Sequence, residues 1–171
     1  APDWYQPVRK SSHTSLAERT LFRGLKGDFE GLVDRYVNRP VSVVLSKVFL
    51  STGLSANAIT MLSMMLGLVA AIGFGFGAYA VGVAAALLFQ LSVVIDCCDG
   101  DVARLTFTES KFGEQLDITA DNIVHMAIFA ALGIGVFFQQ GGLAPAHLAE
   151  PWWWVPLALG GVAVFANGVS F

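Results

Sequence analysis

Long apolar runs separated by short polar breaks govern the chain from residue 58 onward. The runs cover 58–79, 81–104 and 112–138, and a further one extends from the Trp152, Trp153, Trp154 cluster to Phe171. An α-helix rises about 1.5 Å per residue, so roughly 20 residues cross a hydrocarbon core about 30 Å thick, and the first three runs are each long enough. The pattern predicts an all-α, polytopic transmembrane helical bundle with four visible spans. Upstream, residues 40–51 read V-S-V-V-L-S-K-V-F-L after Pro40, which suits a first helical turn, and Gly53 suits the end. That segment is too short to span. With Arg39 and Lys47 at its polar margins, it reads as an N-terminal interfacial amphipathic helix. Ser55 or Asn57 is the expected cap of the first span, and the G-F-G-F-G run at 73–77 provides small surfaces for close helix contact.

Composition sharpens the membrane reading. Of 171 residues, 55% are hydrophobic and only 13% charged, which excludes an ordinary soluble domain. The net charge of −3 carries little information, but its distribution carries more. Arg9, Lys10, Arg19, Arg23, Lys26, Arg35, Arg39 and Lys47 precede the first span, Arg104 and Lys111 flank one turn, and neither 48–103 nor 112–171 contains a Lys or Arg. The positive-inside rule then puts the N-terminus and the 104–112 turn in the cytoplasm and the other connections outside. The Trp152–Trp154 cluster fits an outer aromatic belt. Adjacent Cys97 and Cys98 imply no disulfide framework and make a poor tetrahedral metal site, so they read as small packing residues. Residues 1–38 are polar and mixed in charge, a cytoplasmic segment with too little apolar bulk for a core and without the basic-then-apolar form of a signal peptide.

Within this apolar frame, four carboxylates stand out between residues 96 and 121. Asp96 and Asp99 are three apart and Asp117 and Asp121 four apart, so each helical half presents a pair to one side. Gly113 and the polar turn between them allow the halves to lie as a hairpin, with both pairs in the cytoplasmic halves of their spans. A solvated charge cluster at helix ends is the ordinary account of such acids. Against it, a carboxylate at bilayer depth costs roughly 2.5–3.5 kcal/mol on insertion scales, so four need a cation or a wet cavity. Oxygen-only donors select a hard ion, Mg2+ or Mn2+. His125, four residues after Asp121, is either a packed polar residue or a further partner of the cluster, and Asn167 is the one strongly polar side chain of the last span.

The pattern D-x2-D-G-x2-A-R-x8-G-x3-D-x3-D resembles the signature of the CDP-alcohol phosphotransferase family, with Asp96, Asp99, Gly100, Ala103, Arg104, Gly113, Asp117 and Asp121 in the fixed positions. The segment S-A-N-A-I-T at 55–60 is similar to the family's T-P-N-x-x-T, with Ala56 where proline is usual. The resemblance implies an integral membrane enzyme of six transmembrane helices that displaces CMP from a CDP-alcohol with a second alcohol, in the synthesis of phospholipids or other phosphodiester head groups. It implies that Asp96, Asp99 and Asp117 hold the metal, with Asp121 near a second metal position. Gly100, Ala103, Arg104 and Gly113 would form the nucleotide site. Asp121, one turn further along than Asp117, is the expected general base for the acceptor hydroxyl.

The implied partners are a CDP-alcohol donor, an alcohol acceptor and the lipid bilayer, without nucleic acid. A homodimer is one assembly to test. Residues 39–171 are then a phosphotransferase membrane domain incomplete at its C-terminus. The stretch W-Y-Q-P-V followed by A-E-R-T-L-F-R-G-L-K-G-D-F-E-G-L-V-D-R-Y-V-N-R-P looks like the join in proteins where a nucleotidyltransferase domain precedes the phosphotransferase, which would make 1–38 the tail of that domain and inositol phosphate a candidate acceptor. The expected location is a prokaryotic plasma membrane with the active site facing the cytoplasm. Two other classes fit intramembrane acids: an aspartate-rich prenyltransferase, which would release pyrophosphate rather than CMP, and a cation transporter.

Overall fold

A computed structural model describes residues 38–169 of the chain. The N-terminal segment 1–37, with the suggested fusion join, lies outside the described residues. Those described form six helices and no strand: α1 (Arg39–Thr52), α2 (Ala56–Gly75), α3 (Tyr79–Thr106), α4 (Lys111–Gln139), the single turn α5 (Pro145–Leu148) and α6 (Val155–Val169). Helices α2, α3 and α4 are long and apolar enough to cross a membrane, and α6 is a shorter apolar helix at the end of the described residues. The all-α bundle is thus borne out, and the chain is an integral membrane protein.

Local chemistry sets the helix ends. Pro40 lies in the first turn of α1, and Gly53 closes it in the left-handed region, at φ 72°, with its N–H donating to Leu50 O. Ser55, rather than Asn57, caps α2, its Oγ accepting from Ala58 N. Ser110 caps α4 in the same way, accepting from Gly113 N at 3.0 Å. Between α3 and α4 the left-handed residue is Phe107, which carries the turn that joins them.

Packing inverts the soluble pattern. Polar Thr60, Ser63, Ser92, Asp99 and Asp101 are buried, whereas Met65, Val69, Ile72, Leu87, Val162 and Phe165 are exposed. Such a surface is stable only against lipid. Helix α2 packs on both α3 and α4, and α6 packs on α4. Small residues set these approaches: a Cβ added at Gly67 would stand 2.6 Å from Val124 Cγ1, and one at Gly160 would stand 3.1 Å from Gly133 Cα. From the G-F-G-F-G run, Gly73 faces Ala85, and Gly77, at φ 66°, makes the α2–α3 turn against Gly135.

Helix α1 is amphipathic in an unexpected sense. Its buried face is Ser42, Ser46 and Phe49, and Val41, Val44 and Val48 point outward. The buried face docks on α3, where Asp101, 1% exposed, accepts from Arg39 Nη1 at 3.1 Å and faces Ser46 Oγ at 3.5 Å. At the start of α1, Asn38 Oδ1 accepts from Gln90 Nε2 at 2.6 Å. Cys98 is fully buried, its Sγ 3.5 Å from Ser42 O, as expected of a packing residue.

Candidate metal centre

Helices α3 and α4 do not pack closely side by side as the expected hairpin; each packs on α2, and the turn that joins them leaves the two acid pairs at matching depth. Asp99 is seven residues before the end of α3 (106 − 99) and Asp117 six after the start of α4 (117 − 111); Asp96 and Asp121 are each ten residues from those ends. At about 1.5 Å per residue, one rung lies roughly 10 Å and the other roughly 15 Å from the turn. Asp96, Asp99 and Asp117 converge so that one carboxylate oxygen of each lies within 4.8 Å of the others. Asp121 is not part of that trio. It lines a small adjoining cavity with Asp96, Ser63, Ser92 and His125. His125 also stacks edge-on against Phe89, with centroids 6.2 Å apart, which fits a packed polar residue.

The trio has the chemistry of a hard-cation site. Carboxylates brought this close repel one another unless a positive charge lies among them. Asp117 Oδ1 is buried and has no hydrogen-bond partner, an arrangement that is costly in a bare protein and natural for a ligand oxygen. The donors are oxygens, as Mg2+ and Mn2+ require, and no cysteine joins the group among the described residues.

Beside the trio opens a cleft of about 540 Å3, lined by Asp99, Gly100, Ala103, Arg104, Gly113 and Asp117 together with Asn57, Thr60 and the turn residues Thr108 to Lys111. Every resemblance-derived nucleotide residue therefore reaches one cavity. A Cβ added at Gly100 would meet nothing within 4 Å, so the glycine leaves room at the cleft wall. Gly113 is tighter: its Cβ would stand 3.2 Å from Asn57 Oδ1 and 3.3 Å from Ser110 Oγ. Arg104 is half exposed and pairs with exposed Glu109 at 3.6 Å, a weak surface contact that an anionic ligand can displace.

Sequence reasoning placed Thr60 in the S-A-N-A-I-T segment without a role at the site, and singled out neither Ser63 nor Asp101. Thr60 is hydrogen-bonded to Asp99 Oδ2, and Ser63 Oγ donates to Asp96 Oδ1 at 2.9 Å. Asp101, inside the signature but on the opposite side of α3, serves the α1 contact. The available signal was two hydroxyl residues three apart in an otherwise apolar span.

Comparison with known proteins agrees with this geometry. A family model for CDP-alcohol phosphatidyltransferase matches residues 54–167. The chain is 29% identical over 132 residues to the bifunctional IPC transferase and DIPP synthase of Archaeoglobus fulgidus, covering 77% of this chain and 25% of the relative. Proteins of the same description from Aquifex aeolicus and Rubrobacter xylanophilus are 30% and 33% identical, over 77% and 70% of this chain and 27% of each relative. The chain thus spans about a quarter of the length of the curated relatives it matches. With the family model covering 54–167, six of the eight signature residues lining the cleft and the other two, Asp96 and Asp121, lining the adjoining cavity, the chain belongs to the CDP-alcohol phosphatidyltransferase family.

Proposed function

We propose that this chain carries the catalytic half-site of a membrane enzyme that transfers a substituted phosphate from a CDP-alcohol to an acceptor alcohol and releases CMP. The observation that carries the reading is the convergence of Asp96, Asp99 and Asp117 within 4.8 Å, beside a cleft walled by Gly100, Ala103 and Arg104. Asp96, Asp99 and Asp117 would hold a Mg2+ or Mn2+ ion, and Asp121 lies beside Asp96 for a second position. What a bound divalent ion supplies is positive charge against the diphosphate and the departing CMP. The chain's own residues do the rest. Gly100 and Ala103 let the nucleotide lie close to the α3 backbone, Arg104 and Lys111 offer positive charge at the rim, and Gly113 keeps α4 close to α2. Asp121 takes the proton of the acceptor hydroxyl as its oxygen attacks phosphorus and the bond to CMP breaks.

The cytoplasm is the side the basic residues favour for the cleft, in a prokaryotic plasma membrane. That the relatives are described as bifunctional, an IPC transferase and a DIPP synthase in one protein, is in keeping with a second domain beside the membrane domain; an upstream nucleotidyltransferase domain and an inositol phosphate acceptor are our reading of that second activity. Turnover is tested by incubating the full-length protein with a panel of CDP-alcohols and acceptors and measuring CMP. CMP formed only with metal present is the expected result. Pyrophosphate release would instead favour a prenyltransferase, and metal flux without CMP a transporter.

A further inference from the structure

Helix α2 contributes no acid to the centre, yet it turns two hydroxyls onto the acids of α3. Ser63 Oγ lies 2.9 Å from Asp96 Oδ1, and Thr60 Oγ1 bonds Asp99 Oδ2. Both side chains are buried, at 4% and 3% exposure, so water does not compete for them. Each hydroxyl also has a backbone alternative one turn back: Thr60 Oγ1 stands 3.2 Å from Ala56 O, and Ser63 Oγ 2.8 Å from Thr60 O. A hydroxyl has one proton to give. A carboxylate is the stronger acceptor, and a helix carbonyl already receives a backbone N–H, so the proton belongs to the acid.

We propose that Thr60 and Ser63 are positioning residues for the metal centre, holding Asp99 and Asp96 from a neighbouring helix so that one oxygen of each carboxylate is turned to the ion. The assignment rests on the reading of the aspartate trio as that centre. On α3 alone, Asp96 and Asp99 are free to rotate about their side-chain bonds, and mutual repulsion drives them apart. A hydroxyl on α2 stops that rotation, because α2 is itself locked to α3 through buried Ile59, Ile95 and Cys98. One oxygen of Asp96 and one of Asp99 are engaged from α2, which leaves a single oxygen of each outside those bonds, and Asp117 Oδ1 has no hydrogen-bond partner. One oxygen each from Asp96, Asp99 and Asp117 would hold a Mg2+ ion, which commonly keeps further positions for water and phosphate oxygens.

The test is Mn2+ binding to the full chain in detergent, read by the electron paramagnetic resonance signal of free and bound ion, with thermal unfolding as the control. Outer partners of metal ligands typically contribute about 10–100-fold in affinity, so Thr60→Val, which keeps shape and removes the hydroxyl, and Ser63→Ala should each weaken Mn2+ binding about tenfold or more. Thr60→Ser, which restores the hydroxyl, should bind within about twofold of wild type on the same scale. A merely structural role predicts that unfolding temperature moves and Mn2+ affinity does not. Wild-type affinity in both Thr60→Val and Ser63→Ala, with Asp96→Asn strongly impaired, overturns the positioning role and leaves the centre standing. Wild-type affinity in Asp96→Asn as well overturns both. Should Thr60→Val not fold, Ser63→Ala decides alone.

Discussion

Asp117 and Asp121 stand one turn apart on α4, yet only Asp117 joins the trio, while Asp121 lines the cavity next to it. On the proposed function, that division would separate a ligand of the trio from the base. General-base catalysis is typically worth about 10²–10⁴-fold, so Asp121→Asn is expected to bind Mn2+ and CDP-alcohol as wild type does and to lose at least about a hundredfold in turnover. Nucleotide affinity and initial rate measured on one preparation distinguish this from a purely ligating role, in which binding and rate fall together. Gly100 offers a second contrast at the same scale. Its missing Cβ would touch nothing, and Ala is favoured over Gly in a helix by up to about 1 kcal/mol, so Gly100→Ala should leave the melting temperature equal or higher. The same methyl narrows the cleft, so CDP-alcohol affinity should drop severalfold in an equilibrium titration. Unchanged affinity would mean that the nucleotide does not approach the α3 backbone there.

Each of the other long helices meets the acid-bearing helices α3 and α4 through a different device. Helix α2 uses hydroxyls and a glycine; α1 uses a salt bridge; α6 uses close Gly133–Gly160 contact and a hydrogen bond of 3.0 Å from Asn167 to Asn122. The α1 contact has the most charge at stake. Removing one partner of a buried pair typically costs about 3–5 kcal/mol, and because Arg39 retains some exposure, Arg39→Ala should destabilise the domain by roughly the lower figure. Thermal unfolding and proteolysis within α1 report it, and an unaltered melt would show that Asp101 is accommodated without the guanidinium. At the α2–α4 contact, Gly67→Ala drives a methyl to within 2.6 Å of Val124 and should cost about 1–3 kcal/mol by overpacking. Truncating Val124 to Ala in the same chain should recover part of that loss.

For the whole molecule, the decisive property is sidedness. If the basic residues face the cytoplasm, a cysteine at exposed Glu109 reacts with an impermeant maleimide only from that side, and one at exposed Leu143 only from the other, in a background without Cys97 and Cys98. Reversed labelling would turn the cleft outward. Much of the plan was legible in the sequence because it depends on local rules. Apolar runs of spanning length, Pro40 and Gly53 at the ends of α1, and carboxylates three or four residues apart in the signature specify helices, their limits and the two acid-bearing faces without knowledge of the packing. Other features depend on residues far apart in the chain. Ser55 rather than Asn57 is the cap because the helix already begins at Ala56, and Asn57, inside it, lines the cleft near Gly113. The polar face of α1 is buried because Asp101 waits on α3, and a reading of α1 by itself assigns that face to water. The sequence alone determined a membrane-spanning all-α chain with four acids on two helical faces. Which three of them meet, which hydroxyls hold them and which acid serves the scaffold were decided by the tertiary structure, since spacing along one helix cannot say what a second helix brings against it.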